Sequence, residues 1–481
     1  MARSEYDVVV VGAGPNGLTA AAELARAGLA TLVVEGGATA GGGCRSGELT
    51  LPGFIHDHCA AVHPLGAGSP ALRSLGLERF GLEWVHSPAL LAHVLADGRA
   101  LTLERSLADA AANFGRDGAA YRELMAPFVE RFDELYPMVL GPLRVPGKPL
   151  LMGRFGLQAL RSMRGLATGW FRQESVHALL AGIAAHAMVP LDALATASFG
   201  LVLAMAGHAV GWPVARGGSQ AIVDALVACL RSHGGELELG RTVTSLAELP
   251  RARAYVLDVT PRQLLAIAGD RLPESYKKRL AAFRYGPGVY KLDWALRAPI
   301  PWKDPACARA FTVHLSGSLP EIEAGMKVVQ AGGLAARPFT LLVQPSLFDP
   351  TRAPAGMHTA WAYCHVPNGS TIDASAIIED HIELHAPGFR DLIIGRMVKN
   401  AVEMERYNPN YVGGDINGGL AELRQLFFRP VARVDPYATP AADVFLCSSS
   451  TPPGGGVHGM CGHWAARSVL RRRFPDVAGR E

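Results

Sequence analysis

Gly12-Ala13-Gly14-Pro15-Asn16-Gly17 follows the β-branched run Val8–Val11 and precedes an apolar helical pattern. Those residue types in that order suit phosphate binding. Gly12 permits a sharp strand-to-helix turn, Gly14 lets a pyrophosphate approach the backbone, and Gly17 lets the helix pack close to the sheet. The helix start then offers free N–H groups and a partial positive charge to the phosphates. Pro15 is suited to the first helical turn, where a missing N–H costs nothing. Glu35 lies 18 residues past Gly17, at the tip of the next expected strand. A carboxylate there accepts both ribose hydroxyls and disfavours a 2′-phosphate. The alternative is a glycine-rich turn that binds no nucleotide. The complete strand, turn, helix, strand and acid context argues against it.

The elements that must hold these groups read as a βαβ unit. Tyr6–Val11 has the pattern of a strand buried on both faces. Leu18, Ala21, Ala22, Leu24 and Ala25 share a helical face, Gly28 ends the helix, and Leu29–Val34 is the second strand. Farther on, Ile222, Leu226 and Cys229 form another helical face, with Ser219 as its expected cap and Gly234-Gly235 as its end. Leu237, Leu239 and Val243 alternate as a strand. Val444–Cys447 reads as a strand, and a helix is expected from Ala465 onwards.

Composition excludes several classes. The 481 residues carry a net charge of +3, so no broad polyanion surface forms and nucleic acid is not an expected partner. The seven cysteines are scattered without a C-x-x-C pair, which points to a reducing compartment and away from a thioredoxin-like centre. Met1 to Asp7 runs straight into the first strand without the apolar region of a signal peptide, so the expected location is cytoplasmic. No second G-x-G-x-x-G stands between a strand and a helix, so a separate nicotinamide domain is not expected.

Six residues separate Glu35 from Gly42-Gly43, which lead into Cys44-Arg45. Leu51-Pro52-Gly53-Phe54, Asp57, Trp212-Pro213 and Gly217-Gly218-Ser219-Gln220 follow, and the chain closes with Ser448-Ser449-Ser450-Thr451-Pro452-Pro453-Gly454-Gly455-Gly456-Val457-His458-Gly459. On these segments the chain resembles the phytoene desaturase-related FAD-dependent oxidoreductases. That group is akin to the amine oxidases and includes the pyridine-nucleotide-disulphide-oxidoreductase-domain-containing proteins. The resemblance spans nearly the whole chain. It implies an α/β Rossmann-type FAD-binding domain (1–75, 211–284 and 436–481) interleaved with an α+β substrate domain (76–210 and 285–435). It also implies non-covalent FAD held by Gly12, Gly14, Pro15, Asn16, Gly17, Glu35, Gly42, Gly43, Arg45, Val243, Ser449, Gly455, Gly456 and Val457. Cys44 stands where many members carry arginine, and Ser448-Ser449-Ser450 replaces their Gly-Ala-Gly.

The implied activity is hydride removal from a C–H bond of an apolar, polyene-like substrate, as desaturation or isomerisation, with dioxygen or a quinone reoxidising the flavin. Two alternatives stand beside it. One is an amine or amino-acid oxidase, against which the uncharged stretch 193–215 argues. The other is a flavoprotein without turnover that acts as a binding or assembly partner, which the serine triplet keeps open.

A flavin enzyme needs no catalytic triad, and none is evident. His458, inside the closing motif, could act as an acid or base, or could face solvent at a helix start. Lys291, in the alternating run Val289–Trp294, could reach the flavin or be an exposed strand lysine. His63 is a third candidate. His56-Asp57-His58-Cys59 with His63 is superficially metal-like, but structural zinc sites show paired, closed ligand sets, so no metal is expected. Tyr407 and Tyr411 could form an aromatic wall, and Arg429-Pro430 could orient a substrate.

Residues 193–215 read as a buried helix lining an apolar cavity. In 148–172, apolar residues at helical spacing alternate with Lys148, Arg154, Arg161, Arg164 and Arg172. That pattern fits either a helix in a membrane interface or a core-packed helix with a solvated basic face, and the packed helix is the favoured reading.

Overall fold

Glu5–Val11 and Thr31–Val34 are rich in β-branched residues, and their sequence neighbours Val8–Val11 and all of Thr31–Val34 are almost fully buried. Such strands belong inside a parallel sheet covered on both faces. The computed structural model, which describes residues 5–478, places them in one of two large sheets. In chain order the strands of these sheets are β1 (Glu5–Val11), β2 (Thr31–Val34), β3 (Leu91–Val94), β4 (Ala100–Leu103), β5 (Glu236–Glu238) and β6 (Arg251–Leu257). They continue with β7 (Gly288–Leu296), β8 (Thr312–Leu315), β9 (Thr340–Val343), β10 (His358–Val366), β11 (Ile393–Lys399) and β12 (Val444–Leu446).

The first sheet is parallel throughout, in the order β12-β6-β1-β2-β5. The second runs β11-β7-β10-β9-β8-β3-β4 and is antiparallel except where β8 meets β3. The parallel sheet draws its strands from within 1–75, 211–284 and 436–481, the mixed sheet from within 76–210 and 285–435.

Three helices on one face of the parallel sheet share a core with β1: α1 (Pro15–Arg26), α6 (Gln220–Ser232) and α7 (Met460–Arg473). The numbers α2 to α5 are kept for Pro149–Ala159, Met163–Trp170, Glu174–Ala184 and Thr196–Val210. Small residues allow α1 and α7 to cross closely: a Cβ added at Gly462 would stand 2.0 Å from the Asn16 carbonyl oxygen.

Several boundaries differ from the sequence reading. The strand expected to reach Val243 spans only Glu236–Glu238, and Val243 lies beyond it. The closing helix begins at Met460, a turn before Ala465, because Gly459 (φ +65°) supplies the backbone turn at its start. Strand β7 is buried along its whole length, so Lys291 is no exposed strand lysine. The 148–172 segment is two helices, α2 and α3, broken where the Ser162 hydroxyl caps the N–H of Gly165 at 3.0 Å. Helix α5 takes up the uncharged stretch, and no helix among the described residues is long and apolar enough to cross a membrane.

The two sheets are joined at a buried ion pair. Asp57 ends the small hairpin Ser46–Glu48/Ile55–Asp57, and Arg352 ends the short turn Pro350–Arg352 that follows β9. Neither side chain is exposed, and Arg352 Nη2 donates to Asp57 Oδ2 at 2.5 Å. Asp57 Oδ1 accepts from the Ser46 hydroxyl (2.6 Å) and from the backbone N–H of Ser219 (2.8 Å). Burial pushes this carboxyl up, but Arg352 and the two hydrogen-bond donors outweigh it and hold it down at about 2. Ser219 therefore does not cap α6 with its own hydroxyl, which donates instead to the Ala60 carbonyl at 2.6 Å. Asp57 and Ser46 take over that task, and an anion is favourable at a helix start. Breaking one side of a buried ion pair costs about 3–5 kcal/mol. Arg352→Met is expected to lower the calorimetric melting temperature accordingly, and an unchanged melting temperature would contradict the role assigned to the pair.

Candidate functional site

A cavity of ≈ 600 Å³ opens at the C-terminal ends of β1, β2, β6 and β12 and continues over the mixed sheet. The C-terminal edge of a parallel sheet is where such folds place their ligands.

At the first end, Gly12 turns the chain with φ +99°, and α1 begins at Pro15 with no side-chain cap. A Cβ at Gly17 would stand 2.1 Å from the Gly12 carbonyl oxygen, so this glycine is required by the turn itself. The Glu35 carboxylate accepts from the N–H groups of Ala13 and Gly37, both at 2.7 Å. It thereby pins the tip of β2 to the glycine turn. Val243 lines the same end of the cavity.

The second glycine segment lies against the first. The N–H of Gly41 donates to the Ala13 carbonyl at 2.8 Å, and Gly42 has φ +51°. A Cβ at Gly43 would stand 1.9 Å from the Tyr411 hydroxyl. The Tyr407 hydroxyl donates to the Gly42 carbonyl at 2.6 Å. The Arg45 guanidinium stacks over the Tyr407 ring at 4.3 Å and donates to the Tyr407 carbonyl at 3.0 Å. Both tyrosines line the cavity, and Arg45 secures one of them.

The closing segment forms the opposite wall, where Ser448–Ser450, Gly456 and Val457 line the cavity. The serines are ordered by the protein: the Ser450 hydroxyl donates to the Gly418 carbonyl (2.9 Å), and Arg429 donates to the Ser449 carbonyl (3.0 Å). Asn16 reaches Ser449 from α1 at 3.5 Å. Gly455 lies outside the lining and packs on Asn417. Arg429 is buried and serves this turn.

The three catalytic candidates do not converge. His458 is buried, not solvent-facing, and its Nδ1 accepts from the Met460 N–H at 3.0 Å, so it caps α7 and does not line the cavity. Burial holds its imidazole down at about 4. Lys291 is buried against Asp293 at 2.5 Å, with Nζ 4.9 Å from the centre of the Trp361 ring. Trp361 lines the cavity, whereas Lys291, on the same face of the sheet, is not among the lining residues. His63 does line the cavity, and its Nε2 lies 2.8 Å from the Ser219 hydroxyl. Because that hydroxyl donates to Ala60, His63 Nε2 is the donor of the pair. The neighbouring polar residues diverge: His56 meets Thr50, Asp57 meets Arg352, and His58 stacks on Tyr407. Among the described residues no group of three histidines, cysteines or acids is placed to hold a metal ion.

Over the mixed sheet the walls are largely apolar, with Leu203, Leu341, Val343, Trp361, Tyr363 and Ile416, and among them stand His186, Thr312 and Asn417.

Residues 10–75 match the family model described as an NAD(P)-binding Rossmann-like domain. Pyridine nucleotide-disulfide oxidoreductase domain-containing protein 2 of Rattus norvegicus is 28% identical, over 98% of this chain and 94% of its own. The chain is related to that protein along nearly its whole length. Hydroxyneurosporene desaturase of Rhodobacter capsulatus is 37% identical over 28% of this chain and 26% of its own. Wild-type putrescine oxidase bound to putrescine, a solved structure, is similar with a TM-score of 0.63 at 16% identity, over 97% of this chain and 99% of its own. That likeness is one of fold. The match and the related protein together place an oxidoreductase-type dinucleotide-binding domain in this chain, and all seven of its cysteines are free thiols.

Sequence reasoning missed Asp258. It follows β6 directly, and its Oδ2 accepts from the Gly17 N–H at 2.9 Å, at the very helix start expected to receive phosphate. An acid one residue past a strand that pairs with β1 was the available signal, but the pairing itself was not visible. Burial, with Glu35 nearby, raises the Asp258 carboxyl to about 7. A raised carboxyl pKa gives stability that is complete below the ordinary value of 3.8 and lost as pH rises to about 7. Between pH 5 and pH 8 the loss amounts to about 2–3 kcal/mol. Asp258→Asn is expected to remove this dependence, so its melting temperature should gain on the wild type as pH rises. Parallel profiles for the two proteins would contradict the assignment.

Proposed function

We propose that the protein is an FAD-dependent oxidoreductase that takes a hydride from a C–H bond of an apolar substrate, in a desaturation or isomerisation. The observation that carries this reading is the distribution of charge along one cavity. Its charged lining residues are Glu35, Arg45, Arg241, Asp258 and Arg406, which belong to the glycine turns and the segments packed on them. The other end offers aliphatic and aromatic side chains. An ammonium group would enter that end without a carboxylate to pair with, and an unpaired buried charge costs several kcal/mol. Amine oxidation is therefore the weaker reading, although the putrescine oxidase shares the fold.

The residues present fit the cofactor. Side chains are excluded at Gly17 by the Gly12 carbonyl and at Gly43 by the Tyr411 hydroxyl, and Gly12 turns with φ +99°, which leaves an open cradle of main chain. Asn16 Oδ1 is buried without a partner among the described residues. FAD, when bound, supplies the two-electron acceptor. Gly14 and Asn16 would hold its phosphates at the start of α1, on the turn that Gly12, Pro15 and Gly17 shape, with Gly42, Gly43 and Arg45 opposite. Glu35 keeps lone pairs for ribose hydroxyls beyond those used by Ala13 and Gly37. Val243 would border the adenine, and Ser449, Gly455, Gly456 and Val457 would form the wall nearest the redox ring. The apolar end orients the substrate and excludes water. The terminal acceptor class is dioxygen or a quinone.

The purified protein is expected to carry flavin absorbance that moves to the supernatant on acid precipitation. Glu35→Gln should weaken FAD binding about tenfold, the loss of roughly one charge-assisted hydrogen bond. Absence of flavin after incubation with FAD would overturn the reading.

An apolar substrate also suits a contact surface on the same protein. Helix α2 buries Leu151, Phe155 and Ala159 and turns Leu150 (89% exposed) and Leu157 (75%) outward beside Arg154. Val145 (94%), Leu143, Leu160 and Leu194 are exposed around it. We propose that this patch rests peripherally on anionic lipid. The outward face thus carries these leucines together with the exposed Lys148, Arg154, Arg164 and Arg172, while Leu151, Phe155 and Ala159 pack on the core as the favoured sequence reading has it. Anionic vesicles should float the wild type and not Leu150→Glu/Leu157→Glu. No flotation of either protein would overturn the contact.

A further inference from the structure

Leu341 and Tyr363 of the apolar end belong to a single register row that crosses six strands of the mixed sheet. His93 of β3 pairs with His314 of β8, His314 with Leu341 of β9, and Leu341 with Tyr363 of β10. Tyr363 in turn pairs with Lys291 of β7, and Lys291 with Lys399 of β11. Residues directly opposite in adjacent strands share a face, so the row runs His, His, Leu, Tyr, Lys, Lys along one surface. Leu341 and Tyr363, at its middle, line the cavity. The histidine end of the row is extended by His186, which also lines the cavity, and by His365. The His186 and His314 rings are 5.7 Å apart, and those of His93 and His314 are 6.0 Å apart. Phe339 links His314 to His365, with both ring separations 5.4 Å.

The hydrogen bonding of this cluster is incomplete in a specific way. His93 Nε2 donates to the Gly317 carbonyl at 2.8 Å, which leaves Nδ1 as an acceptor. That Nδ1 has no partner among the described residues, nor do His186 Nε2, His365 Nε2 or either nitrogen of His314. A neutral imidazole carries one donor and one acceptor, so His314 alone presents an unmatched N–H and an unmatched lone pair. Buried polar groups are normally paired, and five unmatched ring nitrogens in one cluster need an explanation. Gly182 of α4 covers the cluster: a Cβ there would stand 2.6 Å from His93 Nδ1 and 2.7 Å from His314 Nδ1. Among the described residues no carboxylate acts on any of these four imidazoles.

We propose that the imidazole end of the cavity is a binding subsite for the hydroxyl group of an otherwise apolar alcohol, with His186 as its first contact. A hydroxyl is both donor and acceptor, so it can meet the unmatched Nε2 of His186, the one of these four histidines that lines the cavity, whichever proton that ring carries. Its hydrocarbon part would lie over Leu341, Val343 and Trp361. A carboxylate would need a protonated partner, and burial holds His93 and His186 down at about 4 and His365 at about 3. An ammonium would need an anion, and none stands there. The proposal rests on the apolar-substrate reading and refines it: the substrate class becomes a hydroxylated hydrocarbon, bound with its polar end away from the glycine turns.

The test needs no turnover. Binding of decan-1-ol and of n-undecane to the purified full chain is followed by quenching of tryptophan fluorescence, since Trp212 and Trp361 line the cavity. The wild type is expected to prefer the alcohol at least tenfold, the effect of about 1.4 kcal/mol. His186→Phe should bring the two affinities within about twofold without weakening n-undecane. His314→Gln is the second variant, should His186→Phe fail to fold. Equal affinities in the wild type, or a preference that survives in His186→Phe, would overturn the subsite. Flavin content is read in the same samples. A flavin-free chain that keeps the preference fails the FAD reading alone, and a flavin-loaded chain without the preference fails the subsite alone.

Discussion

The buried contact between Asp57 and Arg352 is the constraint on which the cavity depends. Arg352 arrives from the mixed sheet, and Asp57 from the hairpin beside the second glycine segment. The carboxylate also holds the start of α6 through Ser219 and Ser46. Ser219 then fixes His63 in the cavity wall. One anion therefore sets the position of the helix, of the histidine and of the second sheet relative to the first. Its charge is stable there because three donors surround it and outweigh the cost of burial, which makes the contact costly to break from one side.

From that joint the cavity runs in two chemical directions. Toward the glycine turns it is main chain and arginine, which suit phosphate, with Glu35 for ribose hydroxyls and Asp258 holding the Gly17 N–H. Toward the mixed sheet it is aliphatic and aromatic, with neutral histidines at one margin and the Lys291–Asp293 pair beside Trp361 at another. A cofactor with a polar half and a planar redox half matches the first direction, and an apolar substrate matches the second. The fold alone would allow an amine oxidase as readily, and the decision rests on side chains.

Much of the first direction was legible in the sequence because it is local. Gly12, Gly17 and Glu35 act through neighbours within about thirty residues, so spacing alone exposes them. The two glycine segments proved adjacent through a backbone hydrogen bond from Gly41 to Ala13. The second direction was not legible, because it is made by register. Nothing in the order of the chain brings His93, His314, Leu341, Tyr363, Lys291 and Lys399 into one row. Six strands, one from 76–210 and five from 285–435, must pair first. Asp258 escaped for the same reason, since its role follows from β6 pairing with β1. His458 was misjudged because a motif shows which residues are near a cofactor segment but not which way they turn.

The most direct measurement is an anaerobic titration of the flavin-loaded protein, followed by flavin absorbance, with a polyene and with putrescine in parallel. The account predicts bleaching by the polyene and none by the diamine, because the substrate end holds no carboxylate to receive a charge. Bleaching by putrescine with no response to the polyene would contradict it.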